Sequence, residues 1–91
     1  MFLHIATATY LSGYTLRVAF DNGVVKDVDL RDELHGEVFA PLQKLSLFKK
    51  AAVNPFTKTV EWPNGADFAP EFLYEIGKEV KRKARARPLR V

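Results

Sequence analysis

His35 stands within three residues of Asp32, Glu33 and Glu37, a composition that metal ions favour. Neither the Glu33/Glu37 pair nor His35 follows a recognised ligand spacing, and Gly36 among them points to a solvated acidic turn. The second histidine, His4, has no partner evident in the sequence. Hydrolysis needs an activated hydroxyl, and Ser12 and Ser46 both lie outside any nucleophile-elbow motif. A Ser–His–Asp set can still assemble in space, because such sets are defined by geometry and not by order. The five glycines are isolated, so no loop is built to cradle a phosphate. There is no cysteine, which excludes disulfides, thiolate-bound zinc and thiol catalysis. The expectation is a protein that is not an enzyme and holds no metal or cofactor.

Two segments carry more information. The first is Trp62–Pro63–Asn64–Gly65–Ala66–Asp67. Its architectural reading packs Trp62 against a sheet, gives Gly65 an unusual backbone angle, and has Asp67 accept backbone N–H groups near a helix start. Its functional reading is a ligand-binding lip with Asn64 and Asp67 as polar groups. Architecture is preferred. The second is the C-terminal stretch 78–91, where Lys78, Lys81, Arg82, Lys83, Arg85, Arg87 and Arg90 face Glu79 alone, a net +6. Residues 1–77 hold seven basic and ten acidic side chains, a net −3, so the overall +3 belongs to the tail and not to the body. Seven cations exceed what a helix C-terminal dipole needs. Three readings stand for the stretch: a solvated tail, contact with nucleic-acid phosphates, and contact with an acidic protein. The stretch has no aromatic residue for base stacking.

The elements that must position these residues read as follows. Residues 2–11 alternate like a strand, and Tyr14, Leu16, Val18 and Phe20 share one face of the next. Asp21–Asn22–Gly23 is a hairpin turn. A three-residue loop with Gly23 left-handed sets Phe20 opposite Val24, Val18 opposite Lys26, Leu16 opposite Val28 and Tyr14 opposite Leu30. That register makes one face apolar and places Arg17 opposite Asp27, whereas a slip by one residue mixes core with charge. Lys26 is the misfit, and a sheet edge would let its ammonium reach water. Leu30–Leu34 suits a short helical turn ending at Gly36. Two more short helical segments are expected at about 39–44 and 46–50, the latter with Ser46 as N-cap. Residues 51–53 and 59–62 form a second hairpin across Asn54–Pro55–Phe56. Pro70 opens a final helix, in which Phe72, Leu73, Ile76, Val80 and Ala84 make one stripe, with Lys78, Lys81, Arg82 and Arg85 opposite and Pro88 stopping it near Ala86.

The 91-residue length fits one domain: a body over 1–77, with the basic helix end and tail at 78–91 as part of it. The 47% hydrophobic content, with seven Phe, three Tyr and one Trp, supplies one core. No stretch approaches the roughly 20 apolar residues that a membrane span needs. With no charged start before its apolar N-terminal residues, the chain is expected to be cytoplasmic. The element order gives an α+β fold, a small and mostly antiparallel sheet covered by short helices and a C-terminal amphipathic helix.

From about His4 to Ile76 the chain resembles an uncharacterised prokaryotic family, DUF2442 of the domains of unknown function. The resemblance rests on three pieces. They are the Tyr14–Phe20 strand running through Asp21–Asn22–Gly23 to Val28–Asp29–Leu30; Val38–Phe39 with Pro41–Leu42 and Leu47–Phe48; and Glu61-to-Asp67 continuing through Pro70–Glu71 to Leu73–Tyr74. The third piece is the most specific. The resemblance implies a small α+β fold that is often a whole protein. It also implies that some relatives carry an added DNA-binding domain, and that some are encoded beside another small protein in a toxin–antitoxin-like arrangement. This chain is expected to carry no such added domain. No catalytic residue follows from the resemblance.

The expected function is therefore an interaction module that binds a protein partner encoded nearby, in an antitoxin-like or regulatory manner. The alternative is nucleic-acid binding through Lys78, Lys81, Arg82, Arg85, Arg87 and Arg90. No membrane partner is expected, and an open sheet edge would allow a homodimer.

Overall fold

The computed structural model describes residues 3–80. Strands β1 (Ile5–Ser12), β2 (Thr15–Phe20) and β3 (Val25–Asp29) form an antiparallel meander. A 3-10 turn at Arg31–Glu33 and another at Ala40–Gln43 lead to α1 (Leu45–Phe48). The hairpin β4 (Ala52–Val53) and β5 (Val60–Glu61) follows, then α2 (Pro70–Ile76) and β6 (Lys78–Glu79). The main sheet runs β1-β2-β3-β6, with β4–β5 as a separate two-stranded sheet. This is the α+β architecture expected from the sequence.

The β2–β3 register is the one set by the apolar pattern. Leu16 pairs with Val28, Arg17 with Asp27 and Val18 with Lys26, while Gly23 takes φ +90° in the three-residue loop. Leu16, Val18, Phe20 and Val28 thereby line one buried face. Over them pack Leu34, Leu42, Phe48, Val60, Trp62, Ala66 and Leu73 from the connecting segments. Aromatic rings join these pieces: Phe48 meets Tyr14 edge-on at 5.3 Å and Trp62 at 5.7 Å, and Phe68 stacks on Phe39 at 4.5 Å. Such contacts add to area burial because ring edges and faces carry opposite partial charge. A bulge between Ile5 and Thr7 shifts the parity of β1, so Ile5, Ala8 and Tyr10 share the core side.

Four details differ from the sequence-based expectation. The last helix does not run to Ala86: it ends at Ile76, Gly77 takes φ −75° and ψ 157°, and the chain re-enters the sheet as β6, antiparallel to β3. Ladder bonds along β3, including Val80 N–H to Val25 O at 2.9 Å, replace those a longer helix would have made. Lys78 therefore lies on a strand, opposite Asp27. Lys81, Arg82, Arg85, Arg87 and Arg90 lie outside the described residues. Lys26 consequently does not stand at a sheet edge. Its half-buried Nζ donates to Tyr74 O at 2.5 Å and sits 3.8 Å from the Tyr74 ring centroid, a cation placed on the C-terminal turn of α2. Ser46 lies inside α1, whose N-cap is Lys44, because the preceding 3-10 turn ends at Gln43 and leaves a single extended residue between the two helices. Asp67 does not cap α2, whose N-cap is Ala69 without a side-chain cap bond.

Candidate interaction surfaces

The two edges of the main sheet differ. Strand β6 has two residues, both charged, which blunts its edge. Strand β1 has eight residues, Ile-Ala-Thr-Ala-Thr-Tyr-Leu-Ser, without a charge or a proline. Its outward-facing groups follow from the ladder. Phe20 N–H donates to Val24 O and Leu30 N–H to Tyr14 O, so even-numbered residues of β2 bond towards β3 and odd-numbered ones towards β1. Thr7 and Thr9, opposite Ala19 and Arg17, thus bond inward, and the backbone of Ala8 and Tyr10 points outward. The β4–β5 loop reaches this edge at Ile5, whose N–H donates to Lys58 O at 2.9 Å. Among the described residues no strand pairs with the remainder of the β1 edge. Leu11, near its end, is an exposed apolar side chain.

The Trp62–Asp67 segment is a tight turn. Trp62 is 2% exposed, and its Nε1–H donates to Phe48 O at 2.9 Å. Gly65 takes φ +91°, a conformation that side chains rarely adopt, and Trp62 N–H donates to Ala66 O across the turn. Pro63 is exposed at its outer corner. Asn64 accepts from Ala66 N–H at 3.1 Å and donates to Val38 O at 2.9 Å, tying the turn to the preceding loop. Asp67 is exposed and makes a backbone bridge with Glu61. The backbone is extended at Ala69 (φ −66°, ψ 141°), the N-cap of α2, which lacks a side-chain cap bond, and Pro70 has already removed one of the amides a carboxylate would have bonded. The polar groups of Trp62 and Asn64 are thus spent on holding the turn and tying it to Phe48 and Val38.

Across the uncovered sheet face, Thr9, Arg17, Asp27 and Lys78 form one row. Arg17 grips Asp27 with two hydrogen bonds of 2.8 and 3.1 Å. The hydrogen bond from Arg17 holds the Asp27 carboxyl below its ordinary range, and the same bond raises the guanidinium. A groove of about 360 Å³, lined by Thr15, Asp27, Asp29, Ile76 and Lys78 with their neighbours, runs beside this row. Its lining carries three carboxylates, Asp27, Asp29 and Glu79, against the one cation Lys78, and Arg17 already pairs with Asp27.

His35 is exposed beside Gly36, which takes φ +90°. Among the described residues no three His, Asp or Glu side chains converge as a metal site would require. His4, which has no partner evident in the sequence, lies 3.3 Å from Asp21, because the antiparallel pairing brings the start of β1 to the end of β2. Sequence reasoning also passed over Phe56 at the tip of the β4–β5 hairpin, 90% exposed. The signal was present: residues 38–60 contain Lys44, Lys49, Lys50 and Lys58 and no carboxylate.

A family model described as protein of unknown function (DUF2442) matches residues 5–79. The chain belongs to that family. In three dimensions this DUF2442 protein is similar to the crystal structure of a "Putative DNA Binding Protein" from Nitrosomonas europaea, with a TM-score of 0.73 at 25% identity. The likeness covers 84% of this chain and 49% of that one, so the DUF2442 chain spans about half the length of its neighbour. No curated protein matches it. Among the described residues no helix is long and apolar enough to cross a membrane.

Proposed function

We propose that this DUF2442 protein is a non-enzymatic interaction module that binds a protein partner by accepting a strand along the outer edge of β1. The observation that carries the reading is the contrast between the two sheet edges. One is short and charged; the other is eight residues long without charge or proline, and between its bulges at Ile5–Thr7 and Tyr10–Ser12 no strand pairs with it among the described residues. Main-chain hydrogen bonds then supply affinity, and alternate side chains supply specificity. The toxin–antitoxin-like gene arrangement implied by the resemblance supports a small protein encoded next to this one as the partner. Co-expression of the two should yield one complex on sizing, and Ala8→Pro, which removes an outward amide, should release the partner. Two separate peaks for the wild-type pair would reject the reading.

The structural neighbour supports a second reading, since it is named for DNA binding. In that reading the +6 segment, through Lys78, Lys81, Arg82, Arg85, Arg87 and Arg90, meets nucleic-acid phosphates. Affinity should then fall by orders of magnitude between ~50 and ~200 mM salt. Replacing Lys81, Arg82, Arg85 and Arg87 with Gln should abolish binding in a mobility-shift titration, and unchanged binding would reject it.

A further inference from the structure

We infer that the tip of the β4–β5 hairpin is a contact site for single-stranded nucleic acid, with Phe56 as a base-stacking platform and Lys58 as the phosphate contact beside it. The inference stands on the hairpin alone and depends neither on the β1 edge nor on the C-terminal tail.

Phe56 is the one aromatic side chain fully exposed among the described residues; the next most exposed large apolar residue, Val38, reaches 47%. A ring left in water contributes nothing to the core, so the fold does not require an aromatic there. Its exposure is imposed by a held loop. Asn54 Oδ1 accepts from Phe56 N–H at 2.7 Å and from Thr57 N–H at 3.1 Å, and Lys58 N–H returns to Asn54 O at 2.8 Å. Lys58 itself adopts φ +62°, which a β-carbon disfavours. Thr59 anchors the returning arm through its hydroxyl, which donates to Phe68 O at 2.5 Å. The backbone that presents the ring is therefore held, and stacking on it carries little loop-ordering cost.

The charge of the surrounding chain favours an anionic occupant. Lys58 is two residues from the ring, and Lys49 and Lys50 lead from α1 into β4. With Lys44 they give residues 38–60 a charge of +4 without a carboxylate, in a body whose remaining residues are net acidic. Glu61, the last residue of β5, and Asp67, bridged to it, lie at the end of the hairpin opposite the tip, the end where Lys49 and Lys50 also enter, so Lys58 is the cation beside the ring. Cations beside an exposed ring are the combination that single strands use, since every base has a π-face and every nucleotide a phosphate. A duplex hides its base faces in the stack and offers the ring nothing. A bilayer would call for an apolar patch, and Phe56 is flanked by Pro55 and Thr57.

The test is fluorescence anisotropy with a labelled oligothymidylate of about 12 nucleotides, at low and moderate salt, against the same-length duplex and against phosphatidylserine vesicles. The wild type should prefer the single strand. Phe56→Ala should weaken binding roughly 5- to 150-fold, with an unchanged melting temperature, while Phe56→Trp should keep it. Lys58→Gln should flatten the salt dependence by about 0.7 in log–log slope. A variant with Lys81, Arg82, Arg85 and Arg87 changed to Gln should retain the dependence on Phe56. Absence of wild-type binding, equal affinity of Phe56→Ala, or preference for duplex or vesicles would each overturn the inference.

Discussion

Gly77→Ala separates two opposed accounts of the C-terminal region by the sign of its effect. If α2 continued beyond Ile76, an alanine at this position would favour the helix by about 1 kcal/mol. In the structure the chain instead turns at Gly77 and passes close to β3. A β-carbon there would lie 2.9 Å from Leu73 O, 2.9 Å from Lys26 Cβ and 3.0 Å from Val28 Cγ2. The first is backbone and the second is attached to it, so neither can give way without moving α2 from β3. Overpacking of this kind costs roughly 2–3 kcal/mol, and the stiffer unfolded chain offsets about 0.4–1 kcal/mol of it. A net loss of about 2 kcal/mol lowers the melting temperature of a domain this size by roughly 10 °C. Urea and thermal unfolding of both proteins, followed by circular dichroism, measure it. An increase in stability would refute the early turn and restore the longer helix.

Trp62→Phe should lose about 2 kcal/mol, because it removes the Nε1–H bond to the Phe48 carbonyl and leaves a gap beside the Phe48 ring; urea midpoints read this directly. Asn64→Ala should cost about 1 kcal/mol through the loss of its bonds to Ala66 and Val38, with Asp67→Ala close to neutral in the same assay. The Arg17–Asp27 pair has a defined pH window. The folded Asp27 carboxyl is depressed, so its contribution is fully present above the ordinary carboxylate value and is lost as pH falls through the folded one. The stability difference between wild type and Asp27→Asn should therefore be constant from about pH 5 to 7 and shrink below about pH 4; a difference that persists at pH 2 would contradict it.

The central hairpin was legible because period-two alternation and turn chemistry agree on one register, and a one-residue slip would have placed Asp27 among Val18 and its neighbours. The long final helix was misread because Phe72, Leu73, Ile76 and Val80 also satisfy a helical stripe. Nothing local reveals that β3 needs a partner, or that Gly77 is a glycine for want of space beside Val28 rather than for its own backbone angle. Lys26 was misplaced for the same reason: its partner, Tyr74 O, exists only once α2 has folded back. The turn at Gly65 and the burial of Trp62 followed from residue types, whereas the idleness of Asp67 depended on Pro70 and on pairing with Glu61. The edge of β1 could not be seen at all, since strand order is a property of the sheet and not of any one segment.

Amide hydrogen exchange resolved along β1 tests the binding surface most directly. In the free protein, Ala8 and Tyr10 should exchange fast while Thr7 and Thr9, bonded to β2, are protected. In the complex with the co-expressed neighbour, Ala8 and Tyr10 should slow by at least about tenfold, as expected of amides drawn into a ladder. A complex that forms while those two amides keep their free-state rates would contradict the account.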